Sequence, residues 1–301
     1  MKFRVIPAIG AVLVAVATML TPAAAQADSV ASPYIYGGTI ATKPYPAEAS
    51  VYKDFGDGTG PHAGCGATHI GDLWGHSIFA LAAHCVTPEG SSTPSPAAQF
   101  SLGTGSNDRR EQTSHAVSAV GVAPGWSWSQ PRGIPQRDFA EMITDRIVPV
   151  PTARIAPAHV GEHLVLVGWG RTTRTGTGPQ SQVLEQLDAT VLPSSECAWN
   201  SNDGVPGITP GDLCMGSASG TGICPGDSGS AAFNVHDNLI GIASRTPGVD
   251  PRCDQNRAVY TGVANYALTA ALLAVTLIAP PGLTPAQQVE QAERALSAAG
   301  Q

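Results

Sequence analysis

The chain has 301 residues, of which 43% are hydrophobic and 13% charged, and its formal net charge is −7. The excess of acidic over basic residues disfavours the extended positive surface that nucleic-acid-binding proteins use, so we expect no nucleic-acid partner. The 34 glycines and the low charged fraction are typical of a compact, loop-rich protein with one large domain or two packed halves.

The first 27 residues have the pattern of a secretion signal. Lys2 and Arg4 precede an apolar stretch at 8–20, and small residues around Gln26 offer a cleavage site. The apolar stretch is shorter than the roughly 20 residues that a membrane-spanning helix needs. We therefore expect a secreted, extracellular protein with a signal peptide at 1–27.

Export affects the interpretation of the cysteines. The sequence contains no C-x-x-C pair, which argues against a zinc ribbon or a thioredoxin-like site. An even number of cysteines in an exported chain predicts disulfides, although the spacing alone leaves all pairings open. The cysteines are Cys65, Cys85, Cys197, Cys214, Cys224 and Cys253.

Short β-like runs dominate the middle of the chain. The runs at 76–83 and 163–170 are predicted to be buried strands, and 230–244 reads as two strands around a turn at 236–238. Each run is bounded by Gly, Pro, Asn or Asp. Many short strands separated by turn residues favour an all-β barrel or sandwich.

The C-terminal segment differs from the rest. Residues 267–279 form an apolar run without a polar face, and a helix of this kind is buried or lies in lipid. The run is short for a membrane span, so we expect it to pack on the domain. A membrane tether through 263–279 is the less favoured alternative.

The segment that follows, 284–300, is predicted to be the helix that covers this apolar run. Thr284 is a suitable N-cap, with Gln287 completing a capping-box pattern. On that helix Val289, Ala292 and Leu296 fall on one face.

Three short motifs carry residues suited to nucleophilic catalysis. A serine becomes a nucleophile when a base takes its proton and a carboxylate orients that base. "FALAAHC" carries His84, "QRDFAEM" carries Asp138, and "GDSGS" carries Ser228. Each alone predicts little, because single histidines and aspartates commonly have structural roles. Two observations exclude an α/β-hydrolase. Its catalytic residues follow the order Ser, Asp, His, whereas the order here is His, Asp, Ser, and Ser230 stands where the motif G-x-S-x-G requires its second glycine.

Six motifs together resemble one family. "IYGGT", "AAHC", "RDFA", "VGWG", "CPGDSGS" and "AVYT" occur in the order found in chymotrypsin-like (trypsin-like) serine proteases, and the chain resembles a bacterial exported member. The resemblance covers roughly 35–275 and implies two packed six-stranded Greek-key β-barrels, to which the C-terminal sequence patterns add a C-terminal helix and a helical C-terminal extension. With the signal pattern, the chain is then expected to contain a signal peptide (1–27), a short propeptide (28–34), a protease domain (35–280) and an extension (281–301).

The resemblance also assigns catalytic roles. It implies that Ser228 attacks the scissile carbonyl, that His84 is the base and that Asp138 orients the imidazole. The backbone N–H groups of Gly226 and Ser228 would form the oxyanion hole. No cofactor or metal is implied.

Activation and disulfides follow from the same resemblance. Cleavage after Tyr34 would free the amine of Ile35, which would pair with Asp227; alternatively, "IYGG" is only an initial strand with a turn. The implied disulfides join sequential neighbours, as Cys65–Cys85, Cys197–Cys214 and Cys224–Cys253.

The resemblance identifies four positions that predict the substrate specificity. Gly222 lies where a trypsin carries the aspartate that binds Lys or Arg, so cleavage after basic residues is disfavoured. Thr246 and Ala258 would make the pocket narrower, which favours small or medium apolar side chains, and Ser244 would pair with the substrate main chain.

Expected partners are protein or peptide substrates and protein protease inhibitors, and the enzyme is expected to be a monomer without membrane attachment.

Several positions depart from the family pattern. Arg245 replaces a residue that is usually aromatic, Glu141 interrupts the apolar run after Asp138, and Ser230–Ala231 replaces Gly–Pro. These departures motivate the alternative of a catalytically silent exported homologue that acts as a binding protein. The tryptophans at 126 and 128 have two open interpretations, a substrate subsite or a loop held by buried indoles.

Overall fold

A computed structural model describes Met1 and residues 35–129, 134, 136–198, 207–247 and 252–299, with the side chains of 293 and 295–299 outside that description. The predicted signal peptide, apart from Met1, and the predicted propeptide lie outside the described residues. Pro33–Gln301 forms one compact unit.

The described chain contains β-strands, short 3₁₀ turns and two α-helices. The strands are β1 (Thr39–Ile40), β2 (Glu48–Lys53), β3 (His62–Leu73), β4 (His76–Leu81), β5 (Phe100–Thr104), β6 (Thr113–Val122), β7 (Ala140–Thr144), β8 (His163–Gly168), β9 (Glu185–Leu192), β10 (Asp212–Ser217), β11 (Ala231–Asn234), β12 (Leu239–Arg245) and β13 (Arg257–Gly262). The helices are α1 (Ala267–Ile278) and α2 (Pro285–Ala299). The 3₁₀ turns are Ala83–Cys85, Ala97–Gln99, Arg109–Glu111, Ser194–Cys197 and Val263–Tyr266.

The first barrel is built from β2 to β7. Its strand order is β2-β3-β4-β7-β6-β5, and it closes where Val51 of β2 lies opposite Leu102 of β5. Alternate residues point inward, so that Ala140 and Met142 of β7 join the barrel core. Closure leaves no free edge in this barrel.

The second barrel is built from β8 to β13. Strand β8 pairs with both β9 and β11, which closes the order β8-β9-β10-β13-β12-β11. The short β1 adds to β9 from outside, with Thr39 opposite Gln186. The prediction of two six-stranded antiparallel barrels with a C-terminal helix is therefore confirmed.

Three disulfides join the six cysteines. They are Cys65–Cys85, Cys197–Cys214 and Cys224–Cys253, the pairs that the resemblance implies. The first connects β3 to the 3₁₀ turn after β4, and the second connects the turn before β10 to β10 itself. Closing loops of this length restricts the unfolded chain and so stabilises the fold.

Helix α1 packs on the first barrel. Gly121 of β6 allows the close approach, since a Cβ at this position would lie 2.7 Å from Leu277 Cδ1. The apolar run is only partly covered, because the side chain of Leu268 is 54% exposed. No helix in the described part of the chain is long and apolar enough to cross a membrane.

Helix α2 begins as the sequence predicts. Gln287 Oε1 accepts from the N–H of Thr284 at 2.9 Å, and the N–H of Gln287 donates back to Thr284 Oγ1 at 3.3 Å. Ala292 is buried against Ala271 of α1. Val289, predicted on the same face, is 44% exposed, so the contact between the helices is narrower than the pattern indicates.

Candidate active site

His84 and Asp138 are in direct contact. His84 lies in the 3₁₀ turn after β4, and Asp138 lies just before β7. Nδ1 of His84 is 2.8 Å from Asp138 Oδ2, and the backbone N–H of His84 donates to Asp138 Oδ1 at 2.9 Å. The two bonds fix the imidazole relative to the carboxylate.

Each of these two groups changes the pKa of the other. Burial alone would lower the pKa of His84, but the adjacent Asp138 outweighs it and raises that pKa above its usual value. Burial alone would raise the pKa of Asp138, but His84 and a hydrogen bond from Ser244 outweigh it and lower that pKa. Asp138 is therefore a carboxylate and can stabilise a charged imidazolium.

Ser228 is held in the loop between β10 and β11. Its carbonyl accepts from the N–H of Gly66 on β3 at 2.8 Å, which ties the second barrel to the strand that carries Cys65. The disulfide from Cys65 leads to Cys85, the neighbour of His84. Within the described residues, the His84 ring contacts Asp138 and Cys85 Sγ but makes no hydrogen bond to Ser228 Oγ, and such bonds are often long in proteins without substrate.

The backbone around Ser228 has two N–H groups without a protein acceptor. In the part of the chain that the structure describes, neither Gly226 nor Ser228 donates its N–H to another residue. Gly226 has a φ of +101°, and a Cβ there would lie 2.4 Å from Gln180 Nε2. Only glycine fits this position without strain.

Ile35 and Asp227 are both buried in the second barrel. The Ile35 side chain is 0% exposed and packs in the barrel core. Asp227, also 0% exposed, accepts hydrogen bonds from Gly170 N at 2.7 Å and Cys224 N at 2.8 Å. Burial raises the pKa of Asp227 to about 7, since these two bonds offset the desolvation only in part.

The residues predicted to form the specificity pocket lie in different environments. A Cβ on Gly222 would lie 2.3 Å from the carbonyl oxygen of Cys253, so the backbone as it stands admits no side chain there. Ala258 packs in the second-barrel core with Ile223, the neighbour of Gly222. Thr246 follows β12 and is partly exposed.

Ser244 and Arg245 extend the contacts of Asp138. Ser244 Oγ donates to Asp138 Oδ2 at 2.6 Å, and Arg245 Nη1 donates to Ser244 Oγ at 2.9 Å. The sequence indicated Ser244 only for its backbone and Arg245 only as a departure. Neither signal predicts the contact with Asp138, because Ser244 lies 106 residues from Asp138 in the chain.

The two tryptophans before Asp138 have different surroundings. Trp126 is buried, and its indole N–H donates to Thr87 Oγ1 at 3.3 Å. Trp128 donates to the same oxygen at 3.1 Å, and its ring lies edge-on to His84 with centroids 6.0 Å apart. Trp126 therefore holds the loop, and Trp128 forms one wall beside the imidazole.

Within the described residues, one cluster of side chains has its potential metal-ligand atoms close enough together to hold an ion, and it consists of Cys65, His84 and Cys85. Both sulfurs belong to one disulfide and offer no thiolate. The grouping therefore reflects the disulfide beside the imidazole.

Comparison with known proteins agrees with this geometry. The sequence profile of the Trypsin family matches residues 38–269. The chain belongs to the trypsin family. It is a serine endopeptidase, and its substrates are proteins or peptides.

Individual trypsin-family relatives are distant. Kallikrein-8 of Mus musculus is 28% identical over 217 residues, which cover 67% of this chain and 74% of that protein. Among solved structures, neuropsin from mouse brain has a TM-score of 0.60 at 22% identity and covers 77% of this chain and 96% of its own. Human heparin binding protein has a TM-score of 0.56 at 22% identity and covers 77% and 93%. These two structures show the shared fold.

Proposed function

We propose that this trypsin-family chain is a secreted endopeptidase that uses His84, Asp138 and Ser228 as its catalytic triad. The observation that carries the proposal is the pair of hydrogen bonds between His84 and Asp138. They leave His84 Nε2 as the nitrogen that can accept a proton. The tie between Ser228 and Gly66 supports the position of the nucleophile beside that nitrogen.

The steps follow from this arrangement. Ser228 Oγ attacks the scissile carbonyl carbon while His84 takes the hydroxyl proton, and Asp138 stabilises the resulting imidazolium. The imidazolium then protonates the leaving amine, and an acyl-enzyme remains. Water, deprotonated by His84, hydrolyses the acyl-enzyme and restores Ser228.

The N–H groups of Gly226 and Ser228 are proposed as the oxyanion hole. Within the described residues these two N–H groups have no protein acceptor, so they are able to donate to the oxygen of a bound substrate. Each such donor is worth about 10²–10³-fold in rate in enzymes of this kind.

We infer that the enzyme is activated by cleavage after Tyr34. The freed amine of Ile35 would give the buried Asp227 the cationic partner that its environment lacks in the described residues. An ion pair there would order the loop that carries Gly226 and Ser228.

The proposed preference is for small or medium apolar side chains. Gly222 provides no carboxylate for Lys or Arg, and the carbonyl of Cys253 leaves no space for one. Thr246 and Ala258 are proposed as the walls of this pocket. One methylene changes binding by only about 1–3 kcal/mol, so the preference is broad.

Secretion, a monomeric state and inhibition by protein protease inhibitors are part of the same proposal. The leader at 1–27 supports export, and bacterial origin rests on the sequence resemblance, since the relatives named above are animal proteins. A silent binding protein is the alternative. Binding of heparin in particular is disfavoured, because 23 acidic residues outnumber 16 basic ones.

The test is labelling by a fluorophosphonate together with a peptide-library digest. We expect the activated wild type to be labelled and to cleave after small or medium apolar residues, and Ser228→Ala to do neither. A folded wild-type chain that is neither labelled nor active would favour the silent homologue. Cleavage mainly after Lys or Arg would contradict the specificity alone.

A further inference from the structure

A cavity of about 420 Å³ lies between the first barrel and the C-terminal helices. Ile78 and Glu141 contribute its barrel side, alanines of α1 form another wall, and Arg294 contributes from α2. We call it the α1 cavity. Its volume is in the range of small-molecule sites, and most of its lining is apolar.

Glu141 is the unusual member of this lining. It lies on β7 between Ala140 and Met142, which point into the barrel core, so its own side chain is on the outer face that α1 covers. Glu141 is 0% exposed, and neither of its carboxylate oxygens has a hydrogen-bond partner among the described residues. The residues opposite it, Ala80 and Gly121, have no polar side chain.

A buried carboxyl without a partner lowers stability, so its presence at a cavity wall indicates a group that binds there. Burial raises the pKa of Glu141 well above its usual value, and a cation at the carboxylate would oppose that shift. Asp72 adds a second acidic group to the lining. Among the described lining residues the one cation is Arg294, which already bonds Glu290 at 2.6 Å and is largely exposed.

The apolar part of the cavity results from small side chains on α1. Ala267, Ala270, Ala271 and Ala274 all line it. A row of alanines leaves space along the helix that larger residues would fill. Binding of an apolar group in this space is favourable because it removes apolar surface from water.

We propose that the α1 cavity is a binding site for a small organic monoammonium ion. Its ammonium group binds the Glu141 carboxylate, and its apolar body lies along the alanines of α1. The site shares no residue with His84, Asp138 or Ser228, and binding there does not depend on the proposed catalytic role of Ser228.

Isothermal titration of the purified chain with 2-phenylethylammonium tests the proposal. We expect saturable one-to-one binding that weakens by about tenfold or more in Glu141→Gln. Glu185→Gln is the matched control, because Glu185 is also a strand glutamate with 0% exposure but lies outside this cavity. No binding to wild type, or an equal loss in both variants, would overturn the proposal.

A second measurement uses the wild type alone and stays informative if Glu141→Gln fails to fold. The neutral isostere 2-phenylethanol has the same apolar body without the charge. We expect it to bind about tenfold or more weakly than the ammonium ion. Equal affinities would show that the carboxylate plays no part and would refute the site as proposed.

Discussion

Arg245 pairs with the buried carboxylate of Asp212, with 2.6 Å between Nη2 and Oδ2. The same guanidinium also donates to Ser244 Oγ, which in turn donates to Asp138. The arginine that departs from the family pattern is thus connected to the partner of His84. We therefore expect it to act as a positioning residue for the proposed active site.

Arg245→Met should destabilise the protein by about 3 kcal/mol, because it leaves the buried Asp212 without its cation. The measurement is urea unfolding at neutral pH. Arg146→Met is the matched control: its pair with Asp145 is exposed and screened by solvent, and we expect little or no change in stability. Equal losses in the two variants would contradict this interpretation.

The same Arg245→Met variant should move the pH profile of hydrolysis. The positive charge of Arg245 lowers the pKa of His84, so its removal raises that pKa. Because the base must be neutral, the acidic limb of kcat/KM should shift to higher pH. An unchanged limb in a folded variant would mean that Arg245 has only a structural role.

Asp138→Asn should have the opposite effect on the pH profile. Burial lowers the pKa of His84, and Asp138 provides the interactions that raise it. Without the carboxylate the acidic limb should move below its wild-type position, and kcat should fall by about 10⁴-fold through loss of the correct tautomer. Rates measured from mildly acidic to alkaline pH test both parts. A folded variant with wild-type turnover would exclude Asp138 from the triad.

Asp227 should make the stability of the uncleaved chain depend on pH. Its folded pKa of about 7 lies above the ordinary 3.8, so its contribution is fully present below the unfolded pKa and is lost as the pH rises through about 7. The loss is on the order of 4 kcal/mol. Urea unfolding of Ser228→Ala with and without Asp227→Asn should show a weaker pH dependence in the double variant.

The pH dependence of stability should differ in the cleaved chain, which begins at Ile35. Its free amine should lower the pKa of Asp227, which reverses the sign of the pH dependence. Identical pH dependence before and after cleavage would argue against the pair of Ile35 and Asp227.

Gly222→Asp should not convert the enzyme into a trypsin. The new Cβ would lie 2.3 Å from the Cys253 carbonyl, so the backbone has to shift, at a cost of about 2 kcal/mol. We expect lower stability and no cleavage after Lys or Arg. Gly64→Asp is the control, because a Cβ there meets nothing within 4 Å. Efficient cleavage after Arg by the variant would show that the pocket adapts.

Much of the fold and the site could be predicted from local sequence. Apolar runs such as 163–170 mark strands, and the capping box at Thr284 marks the start of α2, because both depend on residues a few positions apart. The burial of α1 was predicted from its apolar run, but its exposed Leu268 was not. The fraction of α1 that α2 covers depends on how the two helices pack, which the hydrophobic periodicity of the sequence does not specify.

Local sequence is enough to establish which chemical groups are present: the order of His84, Asp138 and Ser228, an even set of cysteines, and a glycine at 222. Which of these groups contact one another depends on the tertiary structure. It connected Ser244 to Asp138 across 106 residues, paired Arg245 with Asp212, and enclosed Glu141 beneath α1. Residue types fix what a group can donate or accept, whereas distances, burial and the pKa shifts that follow from them arise only when distant segments pack together.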